Sequence, residues 1–239
     1  MQPEYLDRLN APVRNFVLEV EQRAGITIQV IPDQGLNRGG PLGQGNLAVV
    51  IEDRRNIIFA PTNGYFPDGA VRHELLHLKR FHVDGVPKLA AAATPWGIPA
   101  ISPDAIGALD NAIEHIVIVP WELQHHPERR EHWEAVLQDV CDGLSDIPLA
   151  ELRLAISMHC TFLRHVLPGS RQAENVRAFA VEHGIFEAAD QFAGQFLQAA
   201  ASKENLVRLL FHTFPEIPKE HAAMEYVSSR TGVIQKPIS

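Results

Sequence analysis

The run His73-Glu74-Leu75-Leu76-His77 constrains this chain more than any other stretch. Val71, Leu75, Leu76 and Leu78 surround it at helical spacing, which predicts a helix from about Asp68 to His82 with one side buried. Asp68 is a suitable N-cap. On such a helix His73 and His77 lie one turn apart, so both imidazoles leave the same face. Other elements must cover the buried side, and the preceding residues supply them. Ile26 to Ile31 alternates as a strand, and Leu47 to Glu52 and Asn56 to Ala60 read as two more strands on either side of Asp53-Arg54-Arg55. Leu6, Leu9, Val13, Phe16, Val17 and Val20 predict a first helix over residues 3–23, closed by Gly25.

Downstream, Gly85 to Pro103 reads as a long connection. A second helix is expected from about Pro103 to Val119, with Ser102 as its N-cap and Pro120 as its end. From Glu128 onward the pattern is nearly all helix, punctuated by Pro148, Pro168-Gly169, Gly184, Pro215 and Pro218. The order helix, strands, two helices, then a helical bundle is an α+β pattern. It divides into a core over residues 1–127 and a helical C-terminal half over residues 128–239, expected to pack on the core.

The two histidines suit a metal. Zinc accepts neutral imidazole nitrogen, and two ligands one helical turn apart can meet one ion, so one zinc per chain is expected. Glu74 lies beside that ion rather than on it, where it can take a proton from a zinc-bound water and pass it on. A third protein ligand is needed. On the second helix Ile106, Leu109, Ile113 and Ile116 form the apolar stripe, with Asp110 and Glu114 one turn apart at its edge. Glu114 is preferred, with His115 and Asp110 as the other candidates. Asp110 and Asn111 are also placed to accept the free N–H of a ligating histidine. His125-His126 and Glu131-His132 read as a solvated loop, while Tyr65, Arg80 and His82 are candidates to polarise a substrate carbonyl.

A net charge of −8 over 239 residues leaves no surplus of Lys and Arg for a phosphate backbone, so nucleic acid is not an expected partner. The N-terminus lacks the basic and apolar regions of a signal peptide, and the longest apolar runs are too short for a membrane span. Cys141 and Cys160 read as buried, reduced thiols, which points to the cytoplasm. The Gly-rich stretch from Asp33 to Gly45 has neither a P-loop ending nor a dinucleotide fingerprint, and is read as a surface loop rather than a cofactor-binding one.

His73-Glu74-Leu75-Leu76-His77 resembles the signature of the zincin metallopeptidases, and the order strand, strand, motif helix, second helix is similar to their catalytic core. The likeness covers roughly residues 26–120. It implies a zinc-dependent peptidase of the gluzincin branch, with Glu114 as third ligand on the second helix. It also implies that Asn56 to Ala60 or Leu47 to Glu52 holds an extended peptide or protein substrate. Lys79 departs from the pattern, which prefers an apolar residue there, and the bundle after residue 128 has no counterpart.

Two other readings use the same letters. Glu74-Leu75-Leu76-His77 and Glu122-Leu123-Gln124-His125 both have the Glu-x-x-His spacing of a di-iron or di-manganese carboxylate protein, although Pro120 and the strands before residue 61 sit badly with that frame. A non-catalytic zincin-like binding module is the third reading, and the intact Glu74 argues against it.

Overall fold

A computed structural model of the chain describes residues 1–38, 42–51, 56–92, 102–228 and 232–238. Asp53-Arg54-Arg55 and residues 93–101 of the expected long connection lie outside them. The protein is mixed α/β, with small sheets and many helices, and its contacts divide into two compact units.

The first unit comprises Met1–Val86, Trp121–Ala135 and Tyr226–Ile234. In place of one N-terminal helix there are two, α1 (Pro3–Leu6) and α2 (Ala11–Ala24). Pro12 has no N–H to bond backwards, so a helix cannot run through it without loss. The chain restarts instead at Asn10, whose side chain accepts the Val13 N–H at 3.0 Å. Three strands follow: β1 (Ile28–Asp33), β2 (Ala48–Ile51) and β3 (Asn56–Pro61). β3 is central, parallel to β1 with Val30 opposite Ile58, and antiparallel to β2 with Val49 opposite the same Ile58.

The motif helix α3 spans Asp68–His82. Val71, Leu75 and Leu78 join Val13, Val17 and Val20 of α2 and Ile28, Val30 and Ile58 of the sheet in one buried cluster. Pro67 takes the N-cap position, and Asp68, the first helical residue, accepts the Asn10 N–H at 3.0 Å. Lys79 reaches Asp84 at 2.7 Å just past the end of the helix, which is how a charge is carried so close to the core. At the same end, His82 Nε2 lies 2.7 Å from the Asn56 side chain and ties α3 to the start of β3.

The second unit comprises Pro87–Pro120, Val136–Glu225 and Gln235–Ser239. Part of the expected connection is a strand, β4 (Lys88–Ala91). It pairs with a strand that sequence patterning assigned to helix: β5 (Ala222–Ser228) runs antiparallel to it, with Leu89 opposite Met224, and β6 (Gly232–Pro237) completes the sheet. The all-helical reading of the C-terminal half is corrected there.

Before that sheet come α4 (Pro103–His125), α5 (Arg130–Asp142), α6 (Leu149–Val166), α7 (Arg171–Glu182), α8 (Phe186–Ala199) and α9 (Lys203–Thr213). Phe192 packs against Phe196 and Phe214 with ring centroids 5.3 and 5.1 Å apart. The end expected for α4 at Pro120 is also corrected, because the helix continues for another turn. A proline inside a helix costs about 3 kcal/mol through its missing N–H bond. The turn after it is held by side-chain contacts of Glu122, described below. No described helix is long and apolar enough to cross a membrane.

Candidate metal centre

α3 delivers both motif histidines from one face, as its periodicity requires. His73 Nε2 and His77 Nε2 lie 3.3 Å apart, and their rings meet edge to face at 77°. His73 is buried and His77 half-buried. Glu74, between them in sequence, is also buried. Burial pushes its carboxyl above the usual range and the neighbouring Glu122 adds to this, while His73 and Arg129 oppose it. A carboxylate of raised pKa is suited to holding a proton and releasing it again.

The other side of His73 meets a residue that sequence reasoning did not assign to it. His73 Nδ1 lies 2.9 Å from Glu122 Oε2, in the turn of α4 beyond Pro120. Trp133 Nε1–H donates to the same oxygen at 2.9 Å, and Arg129 Nε–H donates to Oε1 at 2.6 Å. Glu122 is fully buried, and burial alone would raise its pKa. The hydrogen bonds from His73 and Arg129, with the guanidinium charge of Arg129, outweigh that and hold it at about 2. An ionised Glu122 accepts the Nδ1 proton of His73, which leaves Nε2 with the lone pair a metal needs.

Arg129 also donates from Nη1 to the Tyr65 hydroxyl at 3.1 Å. Tyr65 belongs to the loop that leads into α3. Asn63 pins that loop by accepting the Tyr65 N–H at 2.9 Å, and Arg8 donates to the Gly64 carbonyl at 2.6 Å. The stretch around residue 132, expected as solvated loop, is the start of α5. His132 is half-buried there, and its pKa falls to about 4 through burial first and then the nearby charge of Arg129.

The α4 candidates divide. Asp110 and Glu114 both accept from the buried Lys203 ammonium, at 2.6 and 2.8 Å, and Asp110 takes the Leu89 N–H at 2.7 Å as well. Asn111 is on the exposed face. His115 is seven residues before Glu122 on one continuous helix, so helical periodicity puts the two on the same face, two turns apart. Among the described residues, His73, His77 and His115 are the group of ligand-type side chains that could share one ion.

Three imidazoles fit zinc with an open fourth position, and also accept copper, iron or nickel. The Glu122 contact on His73 is the second hydrogen bond that ligating histidines commonly make. The second Glu-x-x-His pair does not behave as a matching half-site. Glu122 is engaged by three protein donors, and exposed His125 turns its Nδ1 to the Trp121 carbonyl at 2.9 Å. Glu122 was hidden because Pro120 was taken as the end of α4. Had the helix been continued, the seven-residue spacing from His115 would have flagged it.

Compared with known proteins, the chain matches no family model, no curated protein and no solved structure.

Proposed function

We propose that this chain is a zinc-dependent hydrolase of the zincin kind, acting on peptide bonds. The observation that carries the reading is the pairing of an HExxH helix with a backed histidine: His73 and His77 turn their Nε2 atoms toward each other while Glu122 holds the far side of His73. His73 and His77 are the ligands from α3. For the third, His115 replaces Glu114, because the Glu114 carboxylate is already bonded to Lys203. Bound zinc supplies a Lewis acid and makes water a nucleophile near neutral pH.

Glu74 is the general base, a buried carboxylate one residue from the first ligand, and it also returns the proton to the leaving amine. Tyr65, with its hydroxyl fixed by Arg129, is the candidate to face the substrate carbonyl oxygen. Strand β2 lies at an edge of its sheet, the position from which an extended peptide can add as a further strand. The cytoplasm remains the expected compartment.

Elemental analysis of protein purified without a metal-affinity tag tests this, alongside cleavage of a quenched-fluorescence peptide library. About one zinc per chain is expected in wild type, Glu74→Gln and Glu114→Ala, with loss in His77→Ala and His115→Ala. Cleavage is expected in wild type and not in Glu74→Gln. A zinc-free wild type, or zinc without any hydrolysis, would sink the reading. Two irons or manganese per chain would favour the carboxylate alternative.

A further inference from the structure

Arg129 lies in a short 3-10 turn between α4 and α5 and is almost completely buried. A buried guanidinium needs partners, and this one has two of different kinds. Its Nε–H goes to Glu122 Oε1 at 2.6 Å and its Nη1–H to the Tyr65 hydroxyl at 3.1 Å. Its aliphatic stem is seated just as closely. A Cβ added at Gly69 would fall 2.6 Å from Arg129 Cγ and 2.9 Å from Cδ, so the stem rests on α3 backbone that carries no side chain. Gly69 is one helical turn before His73 and on the same face. Arg129 therefore touches α3, the loop before it and the carboxylate behind His73 together.

We propose that Arg129 is a positioning residue. It locks Glu122 in the one orientation that takes the Nδ1 proton of His73, so His73 is held as the tautomer with its Nε2 lone pair exposed. It couples Tyr65 to the same carboxylate. Arginine suits this because Nε and Nη1 lie in one rigid plane and hold two acceptors at a fixed separation, which a lysine ammonium cannot do. Trp133 contributes the third donor to Glu122, so the carboxylate cannot rotate without breaking bonds at both oxygens. This inference rests on the metal-centre reading above.

The test is Arg129→Lys, read by zinc affinity in chelator competition and by the 15N signature of the His73 ring in metal-free and zinc-loaded protein. The expected result is zinc affinity about 10- to 100-fold weaker, the range for lost second-layer partners of a ligand. Metal-free His73 is expected to change from a single Nδ1–H tautomer to a mixture. A folded Arg129→Lys with wild-type affinity and a single tautomer would overturn the proposal.

A role in stability alone would lower the melting temperature without moving the tautomer. If Arg129→Lys does not fold, the wild type still decides. The Arg129 Nε–H must be a slowly exchanging resonance that shifts when zinc is added, and rapid exchange or no shift counts against the proposal. The metal-free tautomer measurement separates the two ideas. A wild type with one His73 tautomer but no zinc affinity sinks the function and leaves the brace standing.

Discussion

His73 Nδ1 and Glu122 Oε2 are 2.9 Å apart, although 49 residues separate them in the chain. The bond joins the first residue of the motif to the turn of α4 that lies past its proline. Removing Glu122 leaves Arg129 as a buried charge without its carboxylate. Glu122→Ala is therefore expected to cost about 3–5 kcal/mol of stability and to weaken zinc binding by about 10- to 100-fold. Urea denaturation and chelator competition measure the two effects, and unchanged values in both would remove Glu122 from the site.

Gly69 and Gly107 give a pair of opposite expectations. Glycine inside a helix usually costs about 1 kcal/mol relative to alanine. Gly107 on α4 has nothing within 4 Å of an added Cβ, so Gly107→Ala is expected to stabilise by up to about 1 kcal/mol. At Gly69 the methyl group would enter Arg129 at 2.6 Å and come within 3.2 Å of His126 Cβ. Gly69→Ala is expected to reverse the sign and destabilise by about 1–3 kcal/mol. Thermal melts of the two variants side by side test this, and stabilisation in both would mean that Arg129 does not rest on α3.

The α3 helix was legible because apolar periodicity and the polar motif agree on one face. The sheet of β1, β2 and β3 was legible because its runs are β-branched and short. What escaped was set by partners distant in the chain. Ala222–Ser228 carries no strong strand signal, and its pairing with Lys88–Ala91 lies more than 130 residues back. Pro120 stops most helices, yet here the following turn is anchored at Glu122. Helix-face reasoning on α4 also could not register Lys203, which reaches Glu114 from α9. The zinc-type spacing of His73 and His77 is local, whereas the approach of His115 to them and the carboxylate behind His73 depend on tertiary structure.

Lys203 should behave as a buried counter-charge. Its side chain is 1% exposed and it bonds both Asp110 and Glu114. Lys203→Met leaves two buried carboxylates facing one another and is expected to cost about 3–5 kcal/mol at pH 7. Burial already raises the Asp110 carboxyl above its ordinary value, with Lys203 opposing, so removing the lysine raises it further. A carboxyl whose folded pKa exceeds its unfolded one destabilises the fold above the unfolded value. That penalty is relieved as pH falls through the folded value. The deficit of Lys203→Met relative to wild type is therefore expected to shrink between pH 7 and pH 5 in urea denaturation, and a deficit that grows on acidification would contradict it.

The two cysteines yield a prediction that needs no variant. Neither Cys141 nor Cys160 is in a disulfide, both are half-buried rather than buried as expected, and what burial they have raises the pKa of each thiol. The Cys160 thiol is pushed from its reference of 9.0 to about 11, with the Asp190 carboxylate adding to the effect. Since the thiolate is the reactive form, this shift lowers the reactive fraction at pH 8 about a hundredfold. Alkylation of Cys160 in native protein at pH 8 should be slower by at least that factor than in urea, and should accelerate steadily as the pH is raised toward 11. Peptide mapping after timed iodoacetamide quenches reads the rate at each cysteine separately. Native Cys160 labelling as fast as the unfolded chain would place the thiol in open solvent, against the packing of α6.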